Sequence, residues 1–141
     1  MKYLLMLSIV LALSGCAEKQ EFEQVVLEKM KIEKDIKDYK IDPEEMTKCV
    51  TSKTAMKMDG IFPADPRRMQ AYKNYTKMIT LTESADPKKT LDELRADFGS
   101  PKGLADAHAN YAESIVDCLS GLVTGEEEKV QAVVEQPATK P

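Results

Sequence analysis

Four of the seven prolines directly follow an Asp or a Ser, and these four steps constrain the fold more than any other feature of the sequence. They are Asp42-Pro43, Asp65-Pro66, Asp86-Pro87 and Ser100-Pro101. An Asp or Ser side chain can accept a hydrogen bond from an unpaired N–H in the first turn of a helix. Proline is favoured at the first helical position, because its missing N–H would have no partner there. The four steps therefore predict four helix starts.

Glycines predict where three of these helices end, because a helix commonly stops at a residue with left-handed backbone. The predicted ends are Asp59-Gly60, Phe98-Gly99 and Thr124-Gly125. The helix that begins at Pro66 is expected to end near Ala85, because Pro87 opens the next one.

Apolar residues recur at helical spacing in two further places. The last predicted helix carries a stripe at steps of three and four, formed by Leu104, His108, Tyr111, Ile115, Cys118 and Leu122. A fifth candidate helix precedes Pro43, with a similar rhythm interrupted at Lys29 and formed by Phe22, Val25, Ile32, Ile36 and Tyr39. No stretch alternates between apolar and polar residues for long enough to predict a strand. The predicted fold class is all-α, a small antiparallel helical bundle of four to five helices.

The amino terminus has the layout of a secretory signal. A lysine is followed by an apolar run over residues 3–13 and then by small residues. The run is too short for a membrane span, which needs about 20 apolar residues. Residues 13–16, Leu-Ser-Gly-Cys, resemble the lipobox of bacterial lipoproteins. The resemblance implies cleavage before Cys16, which would then carry a diacylglyceryl thioether and an N-acyl chain.

The alternative is an ordinary secretory signal with a coincidental cysteine. In lipoproteins of Gram-negative bacteria, an Asp after the lipidated cysteine usually signals retention in the inner membrane. Here that position is Ala17, so the resemblance implies an outer-membrane protein that faces the periplasm.

Two cysteines remain once Cys16 is assigned to lipid. Cys49 and Cys118 form an even pair in an oxidising compartment, which favours a disulfide between them. Both are predicted to lie on inward faces of their helices. Two buried free thiols are the alternative. No Cys-x-x-Cys or histidine cluster accompanies them, so neither a metal site nor a haem is expected.

The remaining chemistry argues against an enzyme. The net charge of -4, from 20 basic and 24 acidic residues, leaves no basic face for nucleic acid. His108 is the only histidine, and its place on the last stripe predicts a hydrogen-bonded core residue rather than a general base. The sequence contains no nucleophile elbow, phosphate loop or zinc-protease motif. We therefore expect no catalytic residues and no cofactor.

The connection between the helices that begin at Pro43 and Pro66 carries unusual residues for a loop. Ile61 and Phe62 are large and apolar, and Arg67 and Arg68 form a basic pair at a helix N-terminus. One interpretation is an edge at which a partner docks. The other is that Phe62 closes the end of the bundle while the arginines pair with nearby acids.

These observations divide the chain into four parts. Residues 1–15 are a lipoprotein signal peptide, and residues 16–41 are a lipid anchor followed by an amphipathic stalk or a loosely docked helix. Residues 42–124 are the bundle, and residues 125–141 are a disordered tail with a fraying helical turn. The expected function is non-enzymatic binding of an envelope protein, as an assembly, stabilising or targeting factor. The alternative is a binder of a small apolar ligand between helices.

Overall fold

The structure, a computed structural model, describes the backbone of residues 2–62 and 64–135 and the side chains of residues 17–62 and 64–125. Within these residues the chain forms α-helices and one 3₁₀ turn, and no strand. The helices are α1 (Lys2–Ile32), α2 (Lys34–Asp38), α3 (Pro43–Met56), α4 (Pro66–Ile79), α5 (Pro87–Asp97) and α6 (Pro101–Glu135). The all-α prediction is confirmed.

All four predicted helix starts are confirmed, because α3, α4, α5 and α6 each begin at the proline of an Asp-Pro or Ser-Pro step. The Asp42 carboxylate accepts hydrogen bonds of 2.7 and 3.0 Å from the backbone N–H groups of Glu44 and Glu45. The side chains of Asp65, Asp86 and Ser100 each accept one such bond from the first turn that follows. These bonds satisfy donors that the helix itself leaves unpaired.

The helix ends agree with the sequence less well. The end of α5 is confirmed, since Gly99 follows it with a φ of 76°. Helix α4 stops at Ile79 and gives way to a 3₁₀ turn over Leu81–Glu83. The predicted end at Gly125 is wrong, because Gly125 keeps helical backbone and α6 continues to Glu135.

The continuation of α6 has a simple cause. The residues after Gly125 are rich in Glu, Lys, Gln and Ala, which favour helix, and no proline occurs before Pro137. Helix α6 therefore includes the helical turn predicted after Gly125, while the division of the chain at residue 125 stays a prediction. Residues 136–141, the rest of that predicted tail, lie outside the described residues.

The helices close a ring around one core. Helix α1 packs against α3 and α4, α3 also packs against α6, and α5 bridges α4 and α6. The largest fully buried side chains are Phe22, Met30, Ile36, Met46 and Leu94. The Phe22 ring lies 5.5 Å from the Tyr72 ring and 6.2 Å from the Tyr75 ring, between centroids.

Helix α1 contributes to the centre of this core. Phe22, Val26 and Met30 follow one another at steps of four and are completely or almost completely buried. Ile32 and Tyr39, which the predicted stripe turned inward, are exposed instead. The helical rhythm is lost at an extended residue between α1 and α2, so residues beyond it no longer continue the same face. These residues of α1 pack in the core, while how firmly residues 16–41 dock is a matter of stability and stays a prediction.

Helix α6 is also rotated relative to its predicted orientation. Its buried residues are Ala107, Asn110, Ser114 and Cys118, a stripe of small and polar side chains. His108 is exposed, so its interpretation as a core histidine is wrong. Of the predicted apolar stripe, Cys118 is fully buried, and the remaining apolar members are only partly buried: Leu104, Tyr111, Ile115 and Leu122.

A disulfide explains this orientation. Cys49 of α3 and Cys118 of α6 are bonded, with their Cα atoms 5.9 Å apart, which confirms the predicted pairing. Helices this close to each other require small side chains between them. Ion pairs of 3.2 Å between Lys53 and Asp117 and of 2.9 Å between Lys57 and Glu113 flank the same contact.

We expect the disulfide to supply a large share of the stability. Cys49→Ala or Cys118→Ala should lower the free energy of unfolding by about 2 to 5 kcal/mol, because the unfolded chain regains the freedom of a long closed loop. Urea unfolding under non-reducing conditions measures this loss. The double variant should lose no more unfolding free energy than either single variant, because both substitutions break the same bond. A loss in the double variant equal to the sum of the two single losses would contradict this.

Burial of α1 leads to a second prediction. Phe22→Ala should lower the free energy of unfolding by about 3 to 5 kcal/mol, because it opens a cavity in the core. Ile32→Ala, on the same helix but at an exposed position, is the matched control and should change stability by less than about 0.5 kcal/mol. Equal small losses for both variants would show that α1 is not part of the cooperative core.

Candidate functional site

An apolar groove lies between α1, α4, α5 and α6. Its volume is about 720 Å³ and it is half open to solvent. Its apolar lining is formed mainly by Met30, Met78, Leu91, Leu94, Leu104 and Ile115. We call this feature the α1–α6 groove. It exists because α6 turns its small and polar stripe toward α3, which leaves the apolar stripe facing the gap beside α1.

Tyr111 gives the groove one enclosed polar group. Its hydroxyl is shielded from solvent and has no hydrogen-bond partner among the described residues. Burial raises the pKa of Tyr111 to about 12, and the nearby carboxylate of Glu33 acts in the same direction. The phenol is therefore neutral at physiological pH, and it can donate one hydrogen bond to a ligand atom that enters the groove.

The rim of the groove carries charges of both signs. Lys29 forms an ion pair with Glu83, and Glu33 and Arg95 also border the opening. His108 lies on the same rim, and its ring has no hydrogen-bond partner among the described residues. An apolar floor with a mixed polar rim is the usual construction of a binding groove.

A buried polar network joins α3, α4 and α6. The Asn110 side-chain amide donates to the Thr54 carbonyl at 3.1 Å and to the Tyr75 hydroxyl at 2.8 Å. Burial raises the pKa of Tyr75. The network was not predicted from the sequence. The spacing of small and polar residues at 107, 110, 114 and 118 was the available signal, but the apolar stripe on the same helix outweighed it.

The loop between α3 and α4 is held by two side chains. The buried Asp65 carboxylate accepts hydrogen bonds from the Ile61 N–H at 3.0 Å, the Arg67 N–H at 2.9 Å and the Arg67 guanidinium at 3.0 Å. Arg68 donates to the carbonyls of Ala55 and Gly60. Such a network fixes the course of the loop.

Gly60 is required at its position in this loop. Its φ is 95°, a left-handed backbone that side chains rarely adopt, and a Cβ there would lie 2.7 Å from the Cβ of Arg68. The loop can therefore pass closely over the start of α4.

The structure distinguishes the four residues predicted for docking in this loop. Ile61 is 85% exposed and Phe62 is 55% exposed, so Phe62 does not close the end of the bundle. Arg67 is exposed and paired with Asp65 at 3.0 Å, as the alternative interpretation expected. Arg68 is partly buried against backbone carbonyls, and it positions the loop rather than facing a partner.

Three further observations concern the lipid anchor, membrane spans and metal sites. The Cys16 side chain lies outside the described residues, although its backbone belongs to α1. No helix among the described residues has both the length and the apolar character needed to cross a bilayer. In the same part of the chain, no group of three or more His, Cys, Asp or Glu side chains could hold a metal ion.

Comparison with protein-family models, with curated proteins and with solved structures finds no match for this chain.

The hydrogen bonds to Asp65 predict a dependence of stability on acid. The Arg67 side chain first, and then the backbone N–H groups of Ile61 and Arg67, lower the pKa of Asp65 from 3.8 to about 2. A carboxyl with a lowered pKa stabilises the fold at every pH above its unfolded value, and this contribution disappears as the pH falls from about 4 to 2. Asp65→Asn should remove this part of the acid sensitivity.

Urea midpoints measured at pH 5 and pH 2 test this expectation. The parent should lose more stability between the two values than Asp65→Asn does. Asp92→Asn, which removes an exposed carboxylate paired with Arg95, is the control and should behave as the parent does. Identical pH profiles for the parent and Asp65→Asn would refute the role of this carboxylate.

Proposed function

We propose that this protein is a non-enzymatic, lipid-anchored helical module that faces the periplasm and binds an envelope protein. The observation that carries the proposal is the α1–α6 groove, a half-open apolar cleft between four helices. Exposed apolar clefts with polar rims mark interaction sites, because leaving such a surface in water is unfavourable.

The form of the groove favours an amphipathic helix of the partner as its occupant. Half-open grooves accept helices that project apolar side chains at positions i, i+3 or i+4, and i+7. The partly exposed lining residues Leu91, Leu104 and Ile115 offer the apolar surface that such side chains would contact. The rim residues Lys29, Glu33 and Arg95 carry both signs, so the partner helix should carry mixed charges beside its apolar face.

The anchor is supported by the amino terminus and by the cysteine chemistry. Residues 13–16 resemble a lipobox, and lipidation of Cys16 would attach the bundle to a membrane that it does not span. The Cys49–Cys118 disulfide fits a compartment outside the cytoplasm, where thiols are oxidised. Ala17 after the lipidated cysteine favours the outer membrane.

One observation favours a second candidate function, the binding of a small apolar ligand. The volume of about 720 Å³ falls in the range of ligand pockets. The unpaired Tyr111 hydroxyl would supply the single hydrogen bond that orients such a ligand.

Photo-crosslinking in intact cells separates these functions. A photoreactive amino acid at position 108, on the groove rim, should form one discrete adduct with an envelope protein. The same residue at position 116 is the matched control, because Val116 is exposed on α6 but does not line the groove. Ala105→Arg, which places a charge inside the groove from an exposed position, should reduce the adduct at position 108 about tenfold.

The other outcomes contradict parts of the proposal. An adduct of small mass at position 108 would favour the ligand-binding alternative. Equal adducts at positions 108 and 116, or an adduct that Ala105→Arg leaves unchanged, would show that the groove is not the docking site.

A further inference from the structure

The packing of α1 on α4 fixes which end of the bundle lies next to Cys16. The two helices run in the same direction. Phe22 contacts Tyr72 and Tyr75 of α4. Met30, two turns farther along α1, lines the groove together with Met78, which lies farther along α4. Cys16 precedes Phe22 by six residues, and Pro66 precedes Tyr72 by six residues. At 1.5 Å per residue both steps cover about 9 Å of helix, so Cys16 and the start of α4 lie at the same level.

Three large exposed apolar side chains, including the two most exposed among the described residues, lie at this level. Ile61 is 85% exposed, Met56 is 74% exposed, and Phe62 is 55% exposed, all within the segment 56–62. We call these three side chains the loop patch. They account for half of the six large apolar side chains that are exposed in the described part of the chain.

The charges around the loop patch nearly cancel. Arg67 is paired with Asp65, and Lys57 is paired with Glu113 at 2.9 Å. Asp59 adds an exposed carboxylate. The attraction of this surface for a partner is therefore apolar rather than electrostatic, and it does not require an anionic surface.

We propose that the loop patch is a membrane-contacting surface that inserts into the lipid headgroup layer. The inference rests on the lipid anchor of the proposed function. Acyl chains on Cys16 would hold the membrane at the level of α4's first residue, and the loop patch lies at or beyond that level. Apolar side chains at an interface penetrate about 5 to 10 Å, which is within reach of a loop at this position.

The construction of the loop suits this role. Asp65 and Arg68 hold its backbone, and Gly60 allows it to turn tightly over α4. Ile61 and Phe62 are thus presented by a fixed loop, and inserting them orders little additional chain. The loop patch would orient the bundle, while the acyl chains supply most of the membrane affinity.

Single-tryptophan variants of the lipidated full chain test the proposal, because the sequence contains no Trp. Phe62→Trp reports on the loop patch. Tyr39→Trp is the matched control, because Tyr39 is 58% exposed and follows α2, beyond the far end of α1. In phosphatidylcholine vesicles with brominated acyl chains, Phe62→Trp should shift to shorter wavelength and lose emission by about twofold. Tyr39→Trp should change in neither property.

Two further measurements test the lipid anchor independently of the loop patch. They are flotation of the protein with the same vesicles and the mass of the amino-terminal peptide. If the protein floats and Phe62→Trp is not quenched, the inference is overturned while the anchor stands. If Cys16 is unmodified and the protein does not float, both fail together. Quenching of both variants would show that the bundle lies flat on the membrane. Quenching of Phe62→Trp only after addition of envelope protein would assign the loop patch to a protein partner. Either result overturns the inference.

Discussion

The close approach of α3 and α6 determines most of what is distinctive in this structure. The Cys49–Cys118 bond holds the two backbones 5.9 Å apart at that point, so only small side chains fit along the contact. Asn110 and Cys118 therefore face α3, and the larger apolar side chains of α6 are turned aside. The α1–α6 groove is a direct consequence of this orientation, since the neighbouring helices cover those side chains only in part.

Helix α1 completes the hydrophobic core, which the disulfide-linked helices α3 and α6 would not close by themselves. Phe22 inserts its ring between α4 residues, and Tyr75 extends the contact to Asn110 and thus to α6. The chain therefore passes from Cys16 to a fully buried aromatic residue within six residues. Under the proposed lipid anchor, so short a connection would give the bundle little freedom to move away from the membrane or to tumble.

This geometry would place the two apolar surfaces at different heights above a membrane. The loop patch lies at the level of Cys16, whereas Met30 in the groove lies fourteen residues farther along α1, about 20 Å away. One surface would then contact lipid while the other stays open to the periplasm. A bundle oriented in this way could present its groove to a partner without first reorganising.

The sequence by itself determined the helical fold class, the four proline-marked helix starts and the Cys49–Cys118 pairing. Helix caps depend only on residues next to each other in the chain, and two remaining cysteines allow only one pairing. Only the tertiary structure decided which face of α6 is buried, that α1 joins the core, and that Phe62 stays exposed. Helical periodicity identifies an apolar face, but it does not say whether a neighbouring helix is available to cover that face. On α6, the close contact with α3 selected small side chains instead, and the apolar stripe became the wall of a groove.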